Sequence, residues 1–152
     1  MLPPMKARLI ALVLAGAALL ASRTTSARDD RLTFKIQTAL SHVEAKQKLD
    51  PGIRLFFGKQ PHPPIAADLG DDKANDKTRA FNRTDQDACD WVFLSAILKL
   101  QKRARSLQAN AVVGITSVYK NEPFQSETEY QCGAGSMVAG VALTGHFVRL
   151  AQ

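Results

Sequence analysis

The stretch TDQDACDWVFLSAILKLQKRARSLQ, residues 84–108, decides the fold. Its apolar residues recur every three or four positions, which is the spacing of one helix face, and so predict a single long amphipathic helix. Thr84 is expected to cap the helix, and acidic residues follow in the first turn, where the helix dipole favours them. Trp91 falls on the apolar stripe, so we expect it in the core. The polar positions are Asp90, Lys99, Lys102, Arg103 and Ser106, and the basic ones suit the C-terminal end of the helix.

Shorter elements flank this helix on both sides. Before it, the patterns predict a strand at 31–36, a short helix at 38–49 that Pro51 ends, and a strand at 53–57. After it, they predict strands at 111–119, 127–132 and 137–150. We therefore predict one α+β domain over residues 28–152, in which the helix packs on a mainly antiparallel sheet to form two layers.

Residues 59–83 show no clear period. They contain Pro61, Pro63, Pro64 and Gly70 among many Asp, Asn and Lys residues. This composition predicts a long irregular loop. Because loops of this length tend to be functional, we expect a binding surface there.

The first 27 residues have the pattern of a cleavable export signal. Lys6 and Arg8 precede an apolar run at 9–21, which is too short for a spanning helix of about 20 residues. Thr25-Ser26-Ala27 offers a cleavage site, with Ala21 as an alternative, and an uncleaved anchor is the competing interpretation. We predict a periplasmic protein with no stable membrane anchor after cleavage.

Removal of this signal changes the charge. The full chain carries +6, and the signal takes Lys6, Arg8 and Arg23 with no acid, which leaves +3. That value is ordinary for solubility and does not favour a nucleic-acid partner.

Two resemblances follow from particular segments. Residues 88–150, with Ala109-Asn110-Ala111-Val112-Val113 and the GVALTG of 140–145, resemble YbjQ-type and Rcs-lipoprotein-type domains. That resemblance implies heavy-metal binding or envelope-stress sensing. The FFG of 56–58, the stretch 77–89 and the YQCGAG of 130–135 resemble small exported bacterial proteins that carry the name "excinuclease ATPase subunit". The chain lacks a Gly-x-x-x-x-Gly-Lys-Ser/Thr loop and paired Cys-x-x-Cys modules, so we expect no such ATPase.

The two cysteines, Cys89 and Cys132, are predicted to form a disulfide. An even cysteine count in an oxidising compartment favours this pairing, and no Cys-x-x-Cys redox motif is present. Such a bond would fasten the start of the long helix to a strand.

No residue set reaches the standard of a catalytic site, and no cofactor-binding motif is found. His62 and His146 are weak candidates for metal ligands, together with His42 and the acids Asp68, Asp71 and Asp72. The acidic residues do not match a calcium-binding EF-hand loop. We therefore predict a non-enzymatic domain that binds a protein partner in the cell envelope, with small-ligand or heavy-metal binding as the alternative.

Overall fold

The computed structural model describes residues 27–152. The predicted export signal lies outside this part of the chain apart from Ala27.

The long helix, α3, spans Asp85–Ser106, close to the predicted 84–108. The Thr84 hydroxyl accepts a hydrogen bond from the Asp87 backbone N–H at 3.1 Å, which confirms the predicted cap. Arg103 and Arg105 lie in the last turn, where cations interact favourably with the helix dipole. The helix buries one face against the sheet through Ala88, Cys89, Val92, Phe93, Ala96, Ile97, Leu100 and Ala104.

Six strands form one curled sheet, so the fold is mixed α/β with one long helix. The strands are β1 (Asp30–Lys35), β2 (Arg54–Phe57), β3 (Ile65–Arg79), β4 (Ala111–Ser117), β5 (Glu129–Ala134) and β6 (Val138–Leu150). β6 is central: β3 pairs with nearly its whole length on one side, while β5 and then β4 pair with it on the other. β1 pairs with β5, and β2 pairs with β4. Only the β2–β4 pair is parallel among these pairings.

The predicted loop at 59–83 is wrong over most of its length, because Ile65–Arg79 is the fifteen-residue strand β3. The strand is held by backbone pairing along β6, and most of its side chains face solvent. Such a strand needs few apolar residues, since its ladder satisfies the backbone groups. Gly70, at φ +91°, lies where the register shifts between Asp68 and Asp71.

The predicted helix at 38–49 is divided in two. Helix α1 spans Ile36–Ser41 and helix α2 spans Val43–Lys48. His42 between them has extended backbone angles, φ −58° and ψ 147°, which interrupt the helical hydrogen bonds. Its side chain bonds to helix α3, so the break places a histidine against the core helix.

The core lies between α3 and the sheet. Phe93 stacks on Tyr130 of β5, with ring centroids 4.0 Å apart, and Cys89 is bonded to Cys132 of the same strand. On the other side of the sheet the Tyr119 ring lies against Gly133, where any Cβ would overlap it. The helix and β5 are thus fixed to each other by a covalent bond and by aromatic packing.

Candidate functional site

A buried carboxylate, Asp90, organises one end of the helix–sheet interface. The Tyr130 hydroxyl donates to Asp90 Oδ1 at 2.6 Å, and Gln86 Nε2 donates to the same oxygen at 2.8 Å. His42 Nε2 lies 2.9 Å from Asp90 Oδ2. Asp90 is 3% exposed, so these contacts compensate for the removal of its carboxylate from water. We refer to Asp90, His42, Tyr130 and Gln86 as the Asp90 cluster.

The chemistry open to the Asp90 cluster is restricted. Burial, and then the hydrogen bond to Asp90, raise the pKa of Tyr130, so its hydroxyl stays neutral. A neutral buried phenol that donates to a carboxylate is a structural group rather than a nucleophile. His42 is the half-exposed member, and its Asp90 contact fixes the orientation of its ring.

A cavity of about 340 Å³ opens beside His42. Its walls include Arg83, Asp87 and Trp91. The prediction that Trp91 is a core residue is wrong, because Trp91 is 41% exposed. Lys48 Nζ lies 4.8 Å from the centre of its ring, and the Arg83 guanidinium lies 5.9 Å from it. Asp90, which precedes Trp91 and is predicted outside the core, is buried instead.

A larger groove, of about 970 Å³, lies between α1 and β2. Ile36, Leu40, Leu55 and Phe57 contribute apolar side chains to it. Its polar lining is formed by Lys35, Gln37, Thr38, Ser41, Gln60, Glu127 and Thr128. We call this depression the α1–β2 groove.

Strand β2 presents a free backbone edge to the α1–β2 groove. It pairs with β4 on one side and is the last strand in the order of the sheet. The N–H groups of Arg54 and Gly58 donate towards β4, to Asn110 and Ile115. Because backbone groups of alternate residues face opposite sides of a strand, those of Leu55 and Phe57 face the groove. The Phe57 N–H is already taken by the Gln60 side chain at 2.7 Å, which leaves Leu55 at the centre of the edge.

The predicted disulfide between Cys89 and Cys132 is confirmed. The two Sγ atoms are 2.05 Å apart and the Cα atoms 6.0 Å apart. No free cysteine is found among residues 27–152. Both thiols are therefore unavailable to a metal ion.

The histidines proposed as metal ligands have other partners. His62 Nδ1 lies 2.8 Å from the Pro63 carbonyl, and its ring meets the edge of Phe56. His146 Nε2 lies 2.8 Å from Asp68 Oδ1. Within the described residues, no group of three or more His, Cys, Asp or Glu side chains is arranged to hold a metal ion. Asp71 and Asp72 lie on β3 rather than in a loop.

Comparisons with other proteins add no relative. No protein-family model, curated protein or solved structure matches the chain. Over residues 27–152, no helix has the length and apolar character needed to cross a membrane. The resemblances to YbjQ-type domains and to the small exported proteins stay predictions.

Proposed function

We propose that this chain is an exported, non-enzymatic domain that binds an extended segment of an envelope protein in the α1–β2 groove. The observation that carries the proposal is the free edge of β2, which forms one wall of a groove with apolar side chains inside and polar ones at its rim.

An extended polypeptide is the occupant that fits both features. Its backbone would pair with the exposed N–H and C=O of Leu55, as in recognition by strand addition. Its alternate side chains would enter the apolar part of the groove, between Leu40 and Leu55. Glu127 offers a negative charge to the polar face of such a segment, and Lys35 offers a positive charge that its ion pair with Glu129, at 3.2 Å, partly compensates.

The non-enzymatic part of the proposal is supported by the Asp90 cluster. Its buried members are occupied with one another, since Tyr130 and Gln86 both donate to Asp90. The raised pKa of Tyr130 keeps this hydroxyl protonated at neutral pH. The cluster therefore serves to attach His42, and with it the α1–α2 segment that walls the groove, to helix α3.

Export is supported by the disulfide and by the sequence of residues 1–27. Disulfides between buried cysteines persist in oxidising compartments, and reduced thiols predominate in the cytosol. The test is the mass of the protein recovered from the periplasmic fraction of its producing cell. A chain beginning at Arg28, or at Ser22 for the alternative site, supports export; a cytosolic chain beginning at Met1 rejects it.

The groove is tested by placing a photo-crosslinking residue at Leu40 or Leu55 in the producing cell. Arg54 supplies the matched control, because it is next to Leu55 but is exposed on the other face of β2. We expect adducts from positions 40 and 55, mapped by mass spectrometry to one extended apolar segment, and none from position 54. Equal adducts at all three positions, or none at 40 and 55, would reject the groove.

A synthetic peptide of the crosslinked segment then gives the affinity. Leu55→Glu introduces a charge into the apolar part of the groove and should weaken peptide binding about tenfold or more, since ~1.4 kcal/mol corresponds to each factor of ten. Arg54→Glu should leave the affinity within about twofold. If the two variants bind alike, the segment is held elsewhere.

A second candidate is binding of a small ligand in the cavity beside His42, favoured by the half-exposed ring of Trp91. Trp91 is the single tryptophan of the chain, so its fluorescence reports directly on this cavity. Titration with Zn²⁺, Ni²⁺ and a panel of small anions and amines should change the emission if the cavity is a site. A response that persists in His42→Ala places the ligand outside the cavity.

A further inference from the structure

Three exposed apolar side chains lie together at one end of the β3–β6 pair. Phe81 is 63% exposed, Met137 62% and Val138 46%. Val138 pairs with Arg79, and the Ala80 N–H donates to the Met137 carbonyl at 2.9 Å, so the three residues occupy one edge. We call Phe81, Met137 and Val138 the apolar tip. Large side chains grouped in this way at a surface mark a contact site.

Basic residues surround the apolar tip. Lys77 and Arg79 are exposed at the same end of β3. Arg83 follows Phe81 by two positions, but its guanidinium lies over the Trp91 ring in the wall of the cavity that Asp87 also lines, so it is not counted with them. Neither Lys77 nor Arg79 forms an ion pair with another described residue. The nearby acids Asp30 and Asp85 are both paired with Arg28. One guanidinium balances only one of these two carboxylates, and Lys77 and Arg79 together outweigh the remaining negative charge, so the net charge beside the tip is weakly positive.

The N-terminal segment enters the fold beside the same tip. Asp30 pairs with Ala134, the last residue of β5, and the Arg28 carbonyl packs against Gly135 in the turn that leads to Met137. The apolar run at 9–21 is joined to this point by only six residues, 22–27. On the proposed export, the chain therefore enters the fold a few residues after the segment that engages the membrane.

We propose that the apolar tip is a membrane contact, in which Phe81, Met137 and Val138 enter the interface of an anionic phospholipid bilayer. Lys77 and Arg79 would meet the headgroup phosphates, each adding electrostatic attraction near the surface. Neither part suffices alone, since a few apolar side chains bind a bilayer only marginally. The result is reversible attachment of a folded domain whose α1–β2 groove stays free for its partner.

The test is flotation of the exported form of the protein with vesicles of phosphatidylglycerol and phosphatidylcholine, compared with phosphatidylcholine alone. Wild type should float with the anionic vesicles, and less so as salt rises. Phe81→Ser with Met137→Ser should lower the bound fraction about tenfold. Both side chains are exposed, and an unchanged melting temperature verifies the fold of the variant.

The matched control is Val43→Ser with Ile65→Ser, which removes two exposed apolar side chains that lie outside the tip. It should float like wild type. Wild type that does not float, or tip and control variants that float equally, would overturn the proposal. Wild type that self-associates without vesicles, while the tip variant is monomeric, would assign the tip to a second copy of the chain and also overturn it. Vesicle binding does not depend on the groove or on export, so its failure leaves the proposed function standing.

Discussion

Helix α3 holds its two neighbours by different chemistry. It is joined to β5 by the Cys89–Cys132 bond and by the stack of Phe93 on Tyr130. It is joined to the segment 36–57 by apolar packing, such as Phe57 against Phe93, but without a covalent bond. Polar groups add to this attachment: Asp90 contacts His42, and Gln101 bonds to the backbone at Asp50 and Ile53. We call this attachment the polar side. The covalent bond resists separation of α3 from β5, while each net hydrogen bond of the polar side contributes only about 1 kcal/mol.

The difference indicates which wall of the α1–β2 groove can move. The β5 side is cross-linked and serves as the fixed frame. The side formed by α1 and β2 has no cross-link and is held by apolar packing and by polar contacts, so we expect lower hydrogen-exchange protection there than in β5.

Removal of the disulfide should have the largest effect. Cys89→Ala with Cys132→Ala frees a loop of 43 residues in the unfolded chain and should lower the free energy of unfolding by about 4 kcal/mol. Urea denaturation measures the loss, and hydrogen exchange should show it in β5 more than in β2. A loss below about 1 kcal/mol would show that the bond does not fix the frame.

Gln101→Ala tests the polar side. Gln101 is 3% exposed; its Oε1 accepts from the Asp50 N–H, and its Nε2 donates to the carbonyls of Asp50 and Ile53. Leaving these backbone groups without partners should cost about 2–3 kcal/mol and raise exchange in β2 while β5 keeps its protection. Gln47→Ala, at an exposed position of α2, should stay within about 0.5 kcal/mol of wild type. Equal losses in the two variants would contradict the role of Gln101.

The frame is the part of the molecule that the sequence predicts well. The capped helix, the cysteine pair and the strands after the helix carry local signals: Thr84 before acids, an even cysteine count, and runs such as Ala111–Ser117. The helix cap and the strand runs can be recognised within a few consecutive residues. The disulfide can be predicted from the cysteine count alone. The parallel β2–β4 pair and the pairing of β3 with β6 are non-local, so no pattern in the sequence specifies them.

The sequence pattern does not predict the two buried polar residues of helix α3, Asp90 and Gln101. Asp90 and Gln101 share the helix face of Ile97 and Ala104, at spacings of seven, four and three, so the period itself could have placed them inward. Polarity predicts Asp90 outside the core, and Gln101 carries no prediction. Trp91, one residue after Asp90, is predicted in the core because it falls on the apolar stripe. The groove could not be predicted, because it depends on β2 being an edge strand, which follows from tertiary pairing.

Tyr130→Phe should have a smaller, pH-dependent effect. At neutral pH it removes one hydrogen bond to Asp90 and should cost about 1–2 kcal/mol, while the stack on Phe93 remains. Because the folded pKa of Tyr130 is raised above the unfolded value of 10.0, its contribution is fully present below pH 10 and is lost as the pH rises further. Wild type should lose up to about 1.4 kcal/mol per pH unit there from this group, and the variant should not. A gap between the two proteins that stays constant from pH 8 to about pH 11 would contradict a neutral buried phenol.

The smallest effect is expected at Asp50, an outlying contact of the polar side. The hydrogen bond from Arg105, and then the one from the Gly52 N–H, lower the pKa of Asp50 in the folded chain below the ordinary value of 3.8. Its contribution is therefore present above pH 3.8 and is lost as the pH falls through the lower folded value. Asp50→Asn should be slightly less stable than wild type at neutral pH, and the two urea midpoints should converge in acid. Asp71→Asn, at an exposed position of β3 that forms no ion pair with described residues, supplies the control and should show no such convergence. The difference in urea midpoint between wild type and Asp50→Asn should therefore shrink in acid. If it is unchanged at the lowest pH at which the protein folds, Arg105 does not help to hold the movable wall. The attachment then rests on Gln101 and Asp90.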